Sequence, residues 1–229
     1  PAARRSSDGM RETTPVRHVI YLHGFASSPA SSKARVFAQE CAARGVGYTC
    51  PDFNQPAFET LTVTRMIDQT LAAIEAAGAG PVALIGSSLG AYVAVHAAAA
   101  DAGRRVDRLV LLAPALDFGG NRLTHLGPYA IDAWREAGTV TVFHYALGEP
   151  RTVGYALYAS AIDRDAFDLR LDRPMLVIQG RQDDVVDAGM VERWCATRPT
   201  ADLLLVDDGH QLTDSMPIIW TRTKTFFGL

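Results

Sequence analysis

Apolar and polar positions along the chain form two alternating kinds of segment. Short apolar runs such as residues 82–85 are typical of strands that are buried on both faces. Longer segments with apolar residues three and four positions apart predict helices. The pattern predicts strands near 17–23, 46–50, 82–87, 108–113, 174–179 and 202–206, and helices near 31–44, 60–77, 89–101, 187–197 and 212–227.

This alternation indicates a single α/β domain over residues 16–229, with a mainly parallel sheet covered by helices on both faces. The aromatic-rich segment 117–168 interrupts the alternation, and we expect it to form a small cap insertion. Residues 1–15 are polar and carry three arginines, without the apolar core of a secretory signal. We expect them to form a short polar extension.

The pentapeptide Gly86-Ser87-Ser88-Leu89-Gly90 lies between a predicted buried strand and an alanine-rich predicted helix. A G-x-S-x-G turn in this position can hold a serine in a strained backbone conformation, while its glycines let strand and helix pass closely. The motif therefore predicts Ser88 as a nucleophile. The alternative is an ordinary tight turn that joins a strand to a helix.

A nucleophilic serine needs a general base and a carboxylate that orients this base. Of the six histidines, His210 is the one that follows both Ser88 and a candidate acid in a loop after a predicted strand. Two adjacent candidates for the acid, Asp183 and Asp184, follow the preceding predicted strand. His210 could instead cap the next helix, and either aspartate could do the same for its own helix.

The stretch Tyr21-Leu22-His23-Gly24-Phe25-Ala26-Ser27-Ser28-Pro29 with Lys33-Ala34, the pentapeptide, and the turns at Asp183 and Gly209-His210 share a pattern. Together they resemble the small YqiA-like bacterial esterases of the α/β-hydrolase superfamily, from about Arg17 to Phe227. The H-G-F-x-S-S-P part is typical of that family, whereas the pentapeptide marks only the superfamily.

The resemblance implies particular roles for several residues. A carboxylate three positions after Gly180 would be the acid, which favours Asp183 over Asp184. The backbone N–H groups of Phe25 and Leu89 would form the oxyanion hole. His23 would then support the loop that carries Phe25.

Two positions depart from the family pattern. Ala91 stands where a third small glycine is frequent, and Asp187 where proline often follows the Val-Val pair. Asp187 adds a third carboxylate near the acid turn, so the choice of acid stays open.

The predicted activity is that of a carboxylesterase that cleaves short- to medium-chain acyl esters through an acyl-enzyme. Two alternatives are a thioesterase acting on acyl-CoA or acylated protein, and a binding module that has kept the hydrolase fold without turnover. Aromatic residues of the cap could line the substrate pocket or only cover an apolar patch. The candidate pocket residues are Tyr21, His23, Gly24, Phe118, Tyr129 and Trp134.

Charge and composition narrow the possible partners. The net charge of −3 provides no basic surface for nucleic acid, and no segment is apolar enough to predict stable membrane association. The cysteines Cys41, Cys50 and Cys195 lack C-x-x-C spacing, which favours reduced thiols in the cytoplasm. No metal-binding spacing such as H-E-x-x-H occurs, so we expect neither metal nor cofactor. We expect a monomer or small homo-oligomer with a small-molecule ester as substrate.

Overall fold

The computed structural model describes residues 16–123 and 127–229, and for residues 127–129 only the backbone. The predicted extension, residues 1–15, lies outside the described residues. The strands are β1 His18–Leu22, β2 Gly47–Thr49, β3 Val82–Ser87, β4 Val106–Leu112, β5 Thr139–His144, β6 Glu149–Gly154, β7 Met175–Gly180 and β8 Ala201–Val206.

Seven α-helices are present in the described residues. They are α1 Ser32–Ala42, α2 Val63–Ala76, α3 Leu89–Ala100, α4 Gly127–Ala137, α5 Ala156–Ala159, α6 Ala188–Ala196 and α7 Met216–Phe227. None of these helices combines the length and the apolar character needed to span a lipid bilayer.

Six strands form one parallel sheet in the order β2-β1-β3-β4-β7-β8. Because side chains alternate between the two faces of a strand, β3 contributes to two separate cores. Val82 and Leu84 pack with α2, α3 and α6, whereas Ala83 and Ile85 pack with α1 and α7. The predicted α/β class, with helices on both faces of a parallel sheet, is therefore confirmed.

The order of the strands determines where a site can form. From β1 the chain moves outward to β2 and then returns to place β3 on the other side of β1. The loops after strands that diverge in this way leave a crevice at the carboxyl edge of the sheet. The loops after β1, β3, β7 and β8 all lie at this edge, because the four strands are parallel.

The segment 117–168 lies between β4 and β7 and holds α4, an antiparallel hairpin of β5 and β6, and α5. Its inner side joins the main core through Val153, Leu157 and Ala161, all of which are buried. The tip of the hairpin is different, since Phe143, Tyr145 and Leu147 are exposed. The aromatic content of this segment is thus divided between internal packing and an exposed tip.

Leu84 offers a direct test of the core on the α3 side, since its side chain has no exposed surface. Replacement of Leu84 by Ala should lower the free energy of unfolding by about 2–5 kcal/mol, because it removes buried methyl groups and leaves a cavity. Urea denaturation followed by circular dichroism measures this difference. The matched variant Leu147→Ala, at a position that is 54% exposed, should change the free energy by less than about 0.5 kcal/mol. Equal losses in the two variants would contradict this placement of the core.

Candidate active site

Ser88 occupies a strained turn between β3 and α3. Its backbone has φ 54° and ψ −119°, a combination that residues other than glycine rarely adopt. The two glycines of the motif make the turn possible. A Cβ on Gly86 would lie 2.5 Å from the Cα of Ala91, and a Cβ on Gly90 would lie 2.1 Å from the carbonyl oxygen of Leu22. The turn therefore presents the side chain of Ser88 at the carboxyl edge of the sheet.

The loop after β8 brings His210 to Ser88. His210 Nε2 lies 3.1 Å from Ser88 Oγ, and His210 Nδ1 lies 3.0 Å from Asp183 Oδ2 and 3.1 Å from Asp183 Oδ1. Because an ionised carboxylate can only accept hydrogen bonds, Nδ1 carries the ring proton and donates a hydrogen bond to Asp183. Nε2 is then free to accept the hydroxyl proton of Ser88.

Asp183 is an ionised carboxylate without solvent exposure of its side chain. Burial by itself would raise its pKa, yet hydrogen bonds from His210 and from the N–H groups of Val186 and Val185 outweigh burial and lower the pKa. The side chain of Gln179 also donates to Asp183, over 2.9 Å. These four donors fix the carboxylate in its charged form and in one orientation.

The other two aspartates of this turn have different surroundings. Asp184 is exposed, and His210 pairs with its neighbour Asp183. Asp187 caps α6, since its carboxylate accepts hydrogen bonds from the N–H groups of Gly189 and Met190 at 3.0 Å each. The structure thus brings the residue three positions after Gly180 to the histidine, as the family spacing implies.

The loop after β1 packs directly against Ser88. A Cβ on Gly24 would lie 3.3 Å from the Cβ of Ser88 and 3.2 Å from the carbonyl oxygen of Ser87. Within residues 16–123 and 127–229, the N–H groups of Phe25 and Leu89 have no hydrogen-bond acceptor. An oxyanion is stabilised where two backbone donors without other partners point to the same place beside the nucleophile.

His23 supports this loop from inside. Its Nδ1 donates to the carbonyl oxygen of Gly24 at 2.9 Å, and its Nε2 accepts the N–H of Phe53 at 3.1 Å. The ring is almost fully buried and packs on the ring of Phe53. Because both ring nitrogens are engaged with the backbone, His23 has a structural position.

The cap hairpin is attached to the same loop by contacts that the sequence analysis did not identify. Asn54 donates through Nδ2 to the carbonyl oxygen of Ser27 at 2.9 Å and accepts from His144 Nε2 at 3.1 Å. The N–H of Ala146 donates to the carbonyl oxygen of Ala26. His144 has no exposed surface. No periodicity could reveal it, since its partner Asn54 lies ninety positions earlier in the chain.

The candidate pocket residues occupy varied positions. Tyr21 is 1% exposed and packs in the core against Phe37, so it does not line an open pocket. Phe118 is half-buried and contacts Tyr158 of the cap. Trp134 donates to the carbonyl oxygen of Val153 and thereby joins α4 to the hairpin. The side chain of Tyr129 lies outside the described residues.

Two cavities share Asn121, and one of them includes Asp183. A cleft of about 730 Å³ runs beside the acid turn, and a cavity of about 310 Å³ lies within the cap. The cleft is lined by Asp117, Arg122, Phe167 and Asp183 among others, and the cap cavity by Leu123, Ile131, Tyr155 and Tyr158 among others. A third cavity of about 860 Å³ lies near Arg104 and Thr200, at the opposite edge of the sheet and far from Ser88.

The cysteines are not part of this hydrogen-bonded series. Cys41, Cys50 and Cys195 are free thiols. Burial raises the pKa of both Cys41 and Cys195 to about 11, which keeps these thiols protonated near neutral pH. In the part of the chain that the structure describes, no three His, Cys, Asp or Glu side chains are grouped so that they could hold a metal ion.

The chain is similar to a known protein family and to several solved structures. Residues 18–227 match a family described as "Uncharacterised protein family (UPF0227)". No curated protein sequence is significantly similar to the chain.

Solved structures with a similar fold include a protein from Agrobacterium vitis S4, named provisionally as a hydrolase. It is 25% identical, with a TM-score of 0.77 over 91% of this chain and 85% of that one. Mouse alpha/beta hydrolase domain-containing protein 10 is 20% identical, with a TM-score of 0.74 over 91% and 89% of the two chains. The monoacylglycerol lipase of Paleococcus ferrophilus is 14% identical, with a TM-score of 0.76 over 94% and 96%.

Gly90 provides a test of the close contact between α3 and β1. Replacement of Gly90 by Ala should lower the free energy of unfolding by about 1–3 kcal/mol, because the new Cβ would clash with the backbone of Leu22 and His23. The control is Gly103→Ala, where the nearest atom to a new Cβ is 3.5 Å away, an ordinary contact. Urea denaturation of both variants makes the comparison, and a Gly90 variant as stable as wild type would contradict the inferred contact.

Proposed function

We propose that the chain, which belongs to the uncharacterised protein family UPF0227, is a serine hydrolase of the α/β-hydrolase superfamily that cleaves carboxylic esters through an acyl-enzyme. The observation that carries this proposal is the hydrogen-bonded series Ser88–His210–Asp183. Such a series is what activation of a weak nucleophile requires: an adjacent base and a carboxylate that orients it. The fold similarity to a monoacylglycerol lipase further supports ester hydrolysis.

In the first half of the proposed reaction, Ser88 Oγ attacks the ester carbonyl carbon as its proton passes to His210 Nε2. Asp183 stabilises the resulting imidazolium through its hydrogen bond to Nδ1. The carbonyl oxygen becomes an oxyanion, which accepts hydrogen bonds from the N–H groups of Phe25 and Leu89. Collapse of this intermediate breaks the bond to the alcohol oxygen, which takes the proton from His210 and leaves an acyl-Ser88.

In the second half, a water molecule attacks the acyl-Ser88 carbonyl and gives its proton to His210 Nε2. The same backbone donors hold the second oxyanion. When the bond to Ser88 Oγ breaks, His210 returns a proton to this oxygen, and the carboxylic acid leaves. The enzyme thus returns to its starting protonation state without a cofactor.

The surroundings of the site support a substrate of modest size. The cap cavity has a volume of about 310 Å³, which is at the lower end of the range for small-molecule pockets. The cleft beside the acid turn is lined by both negatively and positively charged side chains, including Asp117 and Arg122. A short- to medium-chain acyl ester fits such surroundings better than a long alkyl chain does.

The three free thiols support a reducing compartment, for which we propose the cytoplasm.

The first prediction from this proposal concerns the nucleophile. Ser88→Ala should lower kcat on p-nitrophenyl esters by at least about 10⁴-fold, because the members of such a unit fail together. A series from acetate to palmitate at neutral pH measures the turnover and also the preferred chain length. Ser32→Ala, at an exposed position of α1, serves as the matched control and should retain full activity. Substantial turnover by the Ser88 variant would refute the proposed mechanism.

The second prediction separates the two adjacent aspartates. Asp183→Asn should lower kcat by about 10⁴-fold, since an amide in this position disturbs the tautomer of His210. Asp184→Asn should stay within about twofold of wild type, because surface changes away from a site have small effects. The same ester assay compares both variants. A greater loss of kcat from Asp184→Asn than from Asp183→Asn would show that Asp183 is not the acid.

A further inference from the structure

Lys33 belongs to the stretch that resembles the esterase family, yet the mechanism above leaves it without a part. It is the second residue of α1, whose first turn is capped by the side chain of Ser31. The helix follows directly after the loop that carries Phe25 and packs through Ala34 and Phe37 on the sheet. Lys33 thus lies at the start of α1, close to the loop after β1.

The ammonium group of Lys33 reaches the loop that carries His210. Its Nζ donates a hydrogen bond of 2.6 Å to the carbonyl oxygen of Gln211, the residue directly after His210. The two residues are 178 positions apart in the chain. A charged donor therefore holds the backbone of the histidine loop from a separate element of the fold.

Further support of this loop comes from the acid turn, where the N–H of Gln182 donates to the carbonyl oxygen of Asp208 at 3.0 Å, and from bonds within the loop itself. Asp208 accepts hydrogen bonds from the N–H of Gly209 at 2.7 Å and from the N–H of Ser215 at 2.9 Å. Leu212 is buried with a φ of +52°, and its N–H donates to the carbonyl oxygen of Gly209. The loop is therefore a tight turn that is fixed at both ends, while Lys33 holds the carbonyl of Gln211, the residue after His210.

We propose that Lys33 is a positioning residue of the hydrolase, whose hydrogen bond to the Gln211 carbonyl holds the His210 imidazole between Asp183 and Ser88. This inference rests on the proposed function. The imidazole must keep two hydrogen bonds of about 3 Å at once, and a shift of about 1 Å in such a group can cost about a hundredfold in rate. A carbonyl one residue away from His210 transmits such a shift directly.

The charge of Lys33 gives the proposal a pH signature. Burial lowers the pKa of Lys33 below its ordinary value, although the nearby carboxylates of Asp208 and Asp183 act in the opposite direction. Asp208 and Asp183 are the titratable groups whose charges act on Lys33, and His210 lies one residue before the carbonyl that Lys33 binds. When Lys33 loses its proton, its hydrogen bond to Gln211 weakens, because a neutral amine is the poorer donor. Activity should therefore fall on the alkaline side, before ordinary lysines titrate.

The test compares Lys33→Met and Lys33→Arg with wild type by pH profiles of kcat and KM on a p-nitrophenyl ester. Lys33→Met should lower kcat about 10- to 100-fold with KM changed less than about twofold, since it removes a charged donor. Its remaining activity should also lack the alkaline decline. Lys33→Arg should recover much of kcat and move the decline to higher pH, because a guanidinium keeps its proton. Arg35→Met, an exposed change on the same helix, should match wild type.

Each alternative outcome has a defined meaning. A Lys33→Met enzyme with wild-type kcat, or with raised KM and unchanged kcat, would overturn the positioning role. If Lys33→Met fails to fold, the test depends on Lys33→Arg. An alkaline decline in activity at the same pH in Lys33→Arg as in wild type would then overturn the positioning role. Residual turnover in Ser88→Ala would count against the proposed serine hydrolase, and not against the positioning role of Lys33. The failure of the proposed function and the failure of this inference are therefore distinguishable. Labelling of Ser88 by a fluorophosphonate across the same pH range gives the comparison without any choice of ester.

Discussion

The close approach of α3 to the ends of β1 and β3 is the constraint on which the site depends. The first turn of the helix lies so near the strands that a single methyl group on Gly86 or Gly90 would overlap backbone atoms. This proximity forces the intervening serine into a strained conformation with positive φ. Strain of this kind persists only where the surrounding packing holds it, and here α3 is buried along most of its length. The rigid core thus maintains the partly buried Ser88 in a conformation that a flexible loop would not keep.

The second requirement is a buried negative charge that stays ionised. Transfer of a carboxylate out of water is costly unless hydrogen bonds replace its hydration. Asp183 receives such bonds from two backbone N–H groups, from Gln179 and from His210. The same bonds also fix the direction of the carboxylate, so that its oxygens face one ring nitrogen. Charge and orientation are therefore supplied by one set of contacts.

The loops of the site are held by elements that are distant in the sequence. The loop with Phe25 is attached to the cap hairpin through Asn54, His144 and the backbone of Ala146. The loop with His210 is attached to α1 through Lys33. Each attachment places a hydrogen bond on the backbone within two residues of Phe25 or His210. The hairpin and α1 thus bear on the geometry of the site.

The α/β class follows from the sequence alone, because buried strands and amphipathic helices have distinct periodicities, and each predicted element lies within a few residues of its position in the structure. The candidates Ser88 and His210 also follow from the sequence, because a parallel sheet brings the loops after its strands to one edge. The packing of the fold was needed to show which of two adjacent aspartates meets His210, that His144 is buried on Asn54, and that Lys33 reaches Gln211. Tyr21 was expected near the pocket from its neighbours in the chain, yet the pleat of β1 turns it into the core. Local pattern specifies elements, whereas contacts between residues far apart in the chain depend on how these elements pack.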